Sequence, residues 1–362
     1  MARRRKQKGG DHKAQGILIN LSILLASLVV AVILGEVLMR AFTTNPIMGN
    51  ERYGWRWENP RTIHREVRDD VNVTRQITVN YTSHGFKRWG DVNTTAPKAF
   101  IVGDSFTEMR YVNNGEEWYS YLERAYPRAE FFVYGAGGFG SLQEFFIIDD
   151  YIDTIEPDMI LVQMHYNDFI NNDYRTDRKE YPMSNQVARP YLEDGEIVMR
   201  VPLTFPALRK HSRLFSYAMR YYDIWLREQI LKHKDEYYNG KYGEDCWKGN
   251  FTTCGIFDGR FDEELNTTKQ IYAMMSERAG DTPVYFFNVD TRAKQAEKEI
   301  ADYANITYIE GVSDYVFRHH DNGTNTQIIN DGHWNRKGNE LAGKYLVNYF
   351  NEHEVLPEDA QE

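Results

Sequence analysis

Only two of the 362 residues are cysteine, Cys246 and Cys254. Two cannot form the dense disulfide framework of a small secreted domain, and with no paired histidine motif they make a poor zinc site. Basic residues are in deficit: 43 Lys and Arg against 53 Asp and Glu leave a formal charge of −10. No basic face can dominate such a balance, which argues against nucleic acid as a partner. Internal repeats and low-complexity runs are lacking too. What remains is a chain that is 42% hydrophobic, with room for one large α/β domain carrying an insertion, or for two modest domains.

The basic residues that do occur are uneven. Arg3, Arg4, Arg5, Lys6, Lys8 and Lys13 precede Gly16 to Gly35, "GILINLSILLASLVVAVILG", a run without a charge. At 1.5 Å per residue such a run matches a hydrocarbon core about 30 Å thick. No small-x-small cleavage site follows it, so it reads as an uncleaved signal-anchor rather than a removed signal peptide. The basic flank then stays cytoplasmic and the rest of the chain lies outside. N-x-Thr sequons beginning at Asn72, Asn80, Asn93, Asn250, Asn266, Asn305 and Asn322 agree with that orientation and are glycosylation candidates. Cys246 and Cys254 are close enough in sequence for a small-loop disulfide in an oxidising compartment, two free thiols being the other reading.

Residues 41–95 are polar and aromatic, and read as a membrane-proximal stalk with short strands such as "QITVNYT". From Lys98 the pattern becomes βα: "AFIVGD", "AEFFVYGAGG" and "DMILVQMHYND" are nearly all apolar strands, and "EEWYSYLERAY" and "SLQEFFIIDDYIDTI" have helical spacing. Such strands, alternating with helices, imply a parallel sheet covered on both faces. The rhythm stops between about 171 and 269, where a hairpin turning at Asp194 and Gly195 precedes a long helix, "SRLFSYAMRYYDIWLREQILKHKDEYY". Its aromatics could bind a ligand, but such a stripe is more often packed core. A helix near 266–279, the strand "PVYFFNV", the short strand "ITYIEGV" and a terminal helix complete the chain. The expected division is therefore 1–15 basic tail, 16–39 signal-anchor, 40–95 membrane-proximal segment, 96–352 a main α/β domain with a cap inserted at about 173–265, and 353–362 acidic tail.

Chemistry-bearing residues fall at the strand ends, where an open parallel sheet places its site. Ser105 follows the first strand, the run "GAGGFG" (135–140) follows the second, Asn167 follows the third, and Asp331 and His333 precede the last helix. Acyl transfer by serine needs such a set: a nucleophile, a base, an acid that orients the base, and donors for an oxyanion. Each signal also has a bland reading, as a turn or a helix cap. In family order, however, "GDSFT", "GAGGFGSLQE", "HYND" and "DGHWN" resemble the four blocks of the SGNH hydrolases, also called the GDSL lipase/esterase family.

The resemblance implies a three-layer α/β/α sandwich with a parallel central sheet of flavodoxin-like type, preceded here by one transmembrane helix. It implies Ser105 as nucleophile, His333 as base and Asp331 as its orienting acid. The oxyanion site would be the N–H groups of Ser105 and Gly138, less securely Gly137, with the Asn167 amide. No metal or organic cofactor is required. Two departures stand out: His165 occupies a position where the family usually has glycine, and Asp331 and His333 are spaced D-x-H rather than D-x-x-H. The D-x-H-W spacing resembles a variant seen in some enzymes that move acetyl groups on polysaccharides. The expected function is an extracytoplasmic esterase acting on short acyl esters of envelope carbohydrate or lipid. An O-acyltransferase on surface glycans and a catalytically silent glycan-binding glycoprotein are the alternatives.

Overall fold

The computed structural model describes residues 3–56, 59–70, 73–183, 187–242, 251–329 and 331–361. Helix α1 (Arg3–Phe42) includes Gln15–Phe42, a stretch long and apolar enough to cross a membrane and unburied by the rest of the chain. Strands β1 (Arg61–Asp70) and β2 (Val73–Tyr81) then form one antiparallel hairpin. The 40–95 segment, which reads in sequence as a stalk, is instead woven into the folded body. Ile47 packs with Ala188, Val201 and Leu203, Tyr53 and Phe86 enter the largest core cluster, and the Lys87 amide donates to the Val133 carbonyl at 2.7 Å. Its apolar residues are too scattered to show one period along the segment, yet Ile47, Tyr53, Val67, Ile77, Val79, Tyr81 and Phe86 are all buried.

The central sheet is built from β3 (Lys98–Gly103), β4 (Glu130–Gly135) and β5 (Met159–Met164), joined later in the chain by further parallel strands. Every residue of β3 and β5 is buried, because both faces are covered. Alternation sorts them: Phe100, Val102, Phe132, Tyr134, Ile160 and Val162 enter one core, while Ala99, Ile101, Phe131, Val133, Met159 and Leu161 enter the other. Helix α2 (Ser105–Glu108) turns directly off β3, and α3 (Tyr119–Ala125), α4 (Ser141–Ile155) and α5 (Asn167–Asn171) follow.

The cap comprises α6 (Tyr174–Lys179), a hairpin of β6 (Arg189–Glu193) and β7 (Glu196–Arg200), α7 (Pro206–His211), α8 (Arg213–Leu231) and α9 (Lys234–Tyr242). Asp194 and Gly195, with φ of 51° and 81°, make the expected hairpin turn with two positive φ values. The single long helix expected here is broken after Leu231. Its aromatic stripe is not core: along α8 only Ser216 and Asp223 are buried, and Tyr221, Tyr222 and Trp225 are exposed. Polar pins hold this helix in place of an apolar face, among them the buried Arg209–Asp223 ion pair at 2.6 Å.

After the cap, α10 (Phe261–Ala279), β8 (Val284–Asn288), α11 (Lys294–Ala304), β9 (Thr307–Tyr308), α12 (Val312–Asp321) and α13 (Arg336–Glu352) complete the domain. The sheet order is β4-β3-β5-β8-β9, which is the flavodoxin-like order when its strands are counted by themselves. The sequence did not signal α11 or α12, and the strand expected over "ITYIEGV" is two residues long, because Gly311 at φ 93° starts α12. Helices α4, α10 and α11 cover one face of the sheet, and α3, α12 and α13 the other. Cys254 is buried and disulfide-bonded. Cys246, Asn72 and Asn250 lie outside the described residues, while Asn80, Asn93, Asn266, Asn305 and Asn322 are all exposed.

Beneath the C-terminal edge of the sheet, α4 and α5 bury two acids, Glu144 and Asp168, near Asp104. Neither carboxylate oxygen of Glu144 has a hydrogen-bond partner among the described residues. Burial, reinforced by the charges of Asp168 and Asp104, pushes the Glu144 carboxyl well above the ordinary range. In the unfolded chain this group ionises near about pH 4.3. Above that pH the unfolded chain releases a proton that the folded one keeps, so the stability tied to Glu144 is full below it and declines as pH rises. Glu144→Gln, which mimics the neutral acid, is expected to raise the melting temperature at pH 7–8, with the gap closing as pH approaches 4. Thermal denaturation across that range measures it.

Candidate active site

The site forms where β3, β4 and β5 end together. Gly103 closes β3 with no room for a side chain: a Cβ there would lie 2.3 Å from Thr107 Oγ1 and 2.6 Å from Gln163 Oε1. Asp104 caps α2, its Oδ1 accepting from the Phe106 amide at 2.9 Å, and Thr107 Oγ1 donates to Gln163 Oε1 of β5 at 2.9 Å. These bonds set Ser105 at the start of α2, where its hydroxyl is partly exposed.

His333 arrives from the other end of the chain. Its Nε2 lies 2.7 Å from Ser105 Oγ, and its Nδ1 is hydrogen-bonded to Asp331 Oδ1. The short D-x-H spacing works because Gly332 between them has φ 94°, a conformation that folds the two flanking side chains toward one another. The loop is fixed by the Ile328 amide donating to the His333 carbonyl at 2.8 Å, and by Trp334, which is fully buried. Phe106 and Tyr111 sandwich the imidazole, with ring centroids at 4.6 and 4.3 Å and interplanar angles of 28° and 20°. Burial works against ionisation of Asp331, but the hydrogen bond and charge of His333 hold its carboxyl below the usual range. Tyr111 also bonds to Asp331, and its own phenol is pushed upward by burial and by that carboxylate.

The glycine run lies against α2 from behind. A Cβ on Gly135 would come 2.1 Å from the Glu108 amide nitrogen, and one on Gly137 3.8 Å from Ser105 Cβ. Buried Glu108 clamps this approach, accepting from the Gly137 amide at 2.8 Å and the Tyr81 hydroxyl at 2.7 Å while pairing with Arg110 at 2.9 Å. The amide of Gly137 is thus committed to Glu108. Gly138, at φ 77°, has its carbonyl held by buried Arg189 at 2.7 Å. Asn167 opens α5 at the end of β5, and its Oδ1 is buried without a hydrogen-bond partner among the described residues.

His165, in place of the usual glycine, stands between Phe106 and Tyr166 with ring centroids 5.1 and 4.2 Å away. Burial pushes its pKa down, against the opposing charge of Asp104. Its ring lines a cleft of about 1040 Å³ that runs past Asp331 and His333 to Asp290, Arg292 and the end of the cap at Leu231 and Lys232. Arg292, fixed by Asp290 at 2.9 Å, stacks over Tyr166 at 3.9 Å. Among the described residues no cluster of His, Cys, Asp and Glu is suited to a metal ion. No motif or period in the sequence marks Tyr111, Glu108, Arg292 or the β1–β2 hairpin as parts of the site. That hairpin places Arg65 over Tyr111 at 4.9 Å and packs Val67, Ile77 and Val79 against Ile328.

No family model matches the chain, and no curated protein matches it in sequence. Among solved structures it is similar to a member of the lipolytic protein G-D-S-L family from Veillonella parvula, with 13% identity, 71% of this chain and 99% of that chain covered, and a TM-score of 0.40. A lipase/acylhydrolase from Enterococcus faecalis gives 9% identity, 71% and 96% coverage, and 0.39. A catalytic mutant of an acetylxylan esterase from Geobacillus stearothermophilus gives 10%, 70% and 93%, and 0.36. These likenesses are distant, and what the site can do is carried by its own geometry.

Gly332 meets no atom within 4 Å at its Cβ position, so only its φ of 94° restricts substitution. Gly332→Ala is expected to cost about 1–3 kcal/mol in backbone strain. Chemical denaturation measures the loss, and it should exceed that of an alanine placed at Gly240, which is equally open and has ordinary helical φ.

Proposed function

We propose that the protein is a membrane-anchored serine esterase whose catalytic domain faces away from the cytoplasm. The observation that carries this reading is the continuous hydrogen-bonded series Asp331–His333–Ser105, assembled at the end of the first sheet strand from residues 228 apart in sequence. His333 Nε2 takes the Ser105 proton as Oγ attacks the ester carbonyl. The negative charge that develops on the carbonyl oxygen is met by the N–H groups of Ser105 and Gly138 and by the Asn167 amide. Collapse of this intermediate expels the alcohol, which takes the proton from His333. Water, deprotonated by the same imidazole, then releases the acid. Asp331 keeps Nδ1 protonated and stabilises the imidazolium, and the stacked rings of Phe106 and Tyr111 prevent the imidazole from swinging away.

The substrate we infer is a short acyl ester, most simply O-acetyl, on an envelope carbohydrate or lipid. Two features support it. His165 stands where the family's glycine would leave space, and its ring, with Nδ1 3.7 Å from Asp104, takes up room for an acyl chain at that end of the cleft. Beyond His165 the same cleft, about 1040 Å³, continues past Tyr166, Asp290 and Arg292, which suit a polyhydroxylated alcohol. The basic residues that open α1 would remain cytoplasmic, and the exposed sequons at Asn80, Asn93, Asn266, Asn305 and Asn322 would be open to glycosylation.

Ser105→Ala is expected to abolish turnover of p-nitrophenyl acetate, a loss of roughly 10⁴-fold or more in kcat. Turnover that survives in the variant would sink the mechanism. Product analysis with an added sugar acceptor separates hydrolysis from acyl transfer. His165→Gly should leave acetyl ester hydrolysis active while raising kcat/KM for octanoyl relative to acetyl esters by roughly tenfold; an unchanged ratio would remove His165 from the acyl wall.

A further inference from the structure

We propose that α7 and α8 of the cap form an interfacial element that lies on the outer lipid surface beside the membrane helix. One face of α8 carries a stripe that begins half-buried at Leu214 and is exposed at Ala218, Tyr221 and Trp225. Leu214, Ala218, Tyr221 and Trp225 recur at i, i+4, i+7 and i+11, which places them along one side of a helix. Tyr221 is 73% exposed and Trp225 54%, and Tyr222 and Ile224 flank them. On α7 and just before it, Leu208 and Phe205 are exposed to a similar degree. A soluble protein seldom leaves so many large apolar and aromatic side chains together in water.

The stripe is continuous with the membrane helix, and this identifies its occupant. Leu214, its first residue, meets α1 at Gly35, where a Cβ would lie 3.2 Å from Leu214 Cδ2. Gly35 is also the last residue of the uncharged run. Glu36, the next residue, accepts from the Ser212 hydroxyl at 2.8 Å and from the Arg213 and Leu214 amides at 3.1 and 3.0 Å. Arg213 in turn donates to the Arg40 carbonyl at 2.6 Å. The N-terminus of α8 is thereby locked at the level where α1 leaves the hydrocarbon. From there the helix carries its aromatic stripe away along the surface.

The charges beside the stripe fit the same partner. Arg213, Arg220 and Arg227 recur every seven residues along one flank, and Lys210 and Lys232 stand at the two ends. Asp223 is buried against Arg209, so Glu228 is the acid that α8 exposes. In a chain with formal charge −10, this strip is locally basic. Tyr and Trp at headgroup depth beside Arg that reaches lipid phosphate is the pattern of a helix lying in the membrane interface. Because Leu231 and Lys232 also line the cleft at His333, the same helix sets the cleft mouth at the lipid surface.

The proposal rests on α1 as a membrane span, and the test separates the two. The full chain and its Trp225→Phe variant are reconstituted at one copy per phosphatidylcholine nanodisc, with and without bromine on the acyl chains. Failure of the chain to elute with the discs would remove the span itself. If it does elute with them, the fluorescence component lost in Trp225→Phe is expected to be quenched at least twofold by brominated lipid. Tyr221→Asp/Tyr222→Asp should halve that quenching while the far-ultraviolet circular dichroism stays unchanged. A Trp225 component untouched by brominated lipid overturns the proposal. So does one whose emission shifts only in a parallel preparation with two copies per disc, which would assign the face to a second copy of the chain.

Discussion

The hydrogen bond between His333 Nε2 and Ser105 Oγ joins two loops from opposite ends of the α/β domain, and much of the local structure exists to bring those loops to 2.7 Å. One loop is held from the sheet. Parallel register puts Gly103 beside Gly135 and Gln163, so the first turn after β3 is pressed between its neighbours and cannot drift. The other loop is held from α13. Buried Asn339 donates to the Trp334 carbonyl at 3.1 Å and accepts from the Trp118 amide at 3.0 Å, tying the residue after His333 to the start of α3. A buried amide side chain with its donor and acceptor both used fixes position more than it adds stability, since each such bond contributes about 1 kcal/mol net.

The β1–β2 hairpin completes the clamp. Arg75 reaches Glu116 with two bonds of 2.9 and 2.8 Å, Thr78 and Asn80 amides donate to Asn113 and Asn114, and Asn325 binds the Asp69 carbonyl. The hairpin therefore touches the loop after α2 and the loop before His333 at once. It also sends Tyr81 to Glu108, whose carboxylate holds the glycine run. A polar segment ahead of the sheet thus braces three parts of the site that the sheet itself leaves as loops.

The parts of this architecture legible in sequence are those fixed by local pattern. Fully apolar runs such as "AFIV" and "MILV", alternating with helical periods, read as strands covered on both sides, and α4 is found over the residues whose spacing indicates it, Ser141–Ile155. Ser105, His333 and Asp331 were legible because each is a rare polar residue at a strand or helix boundary in a recognisable block. The contributions of Tyr111, Glu108 and Arg65 were not, because they depend on which loops the fold brings together and no period records that. Helices α11 and α12 escaped because their apolar positions are few: Ala296, Ile300 and Ala304 on one, Val312 and Val316 on the other. The α8 stripe misled for the opposite reason. Its period is correct for a buried face, but a period says only that one side differs from the other, and not what lies against it.

How the cap is attached explains why such a face can remain uncovered. An apolar helix docked on a core must bury its stripe, and its orientation is then set by packing. Helix α8 is held by charged and polar contacts at its start and at its middle: Glu36 at its N-terminus, and within its length Asp223, which takes both terminal Arg209 nitrogens at 2.6 and 3.0 Å and is bonded by the Tyr181 hydroxyl as well. Burying that ion pair costs desolvation that its attraction offsets only when the geometry is saturated with hydrogen bonds, as it is here. Such contacts add little net stability, but they fix direction, because each donor has one acceptor to satisfy. The helix is thus oriented without using its apolar stripe, and the stripe is left facing outward from the point where α1 ends.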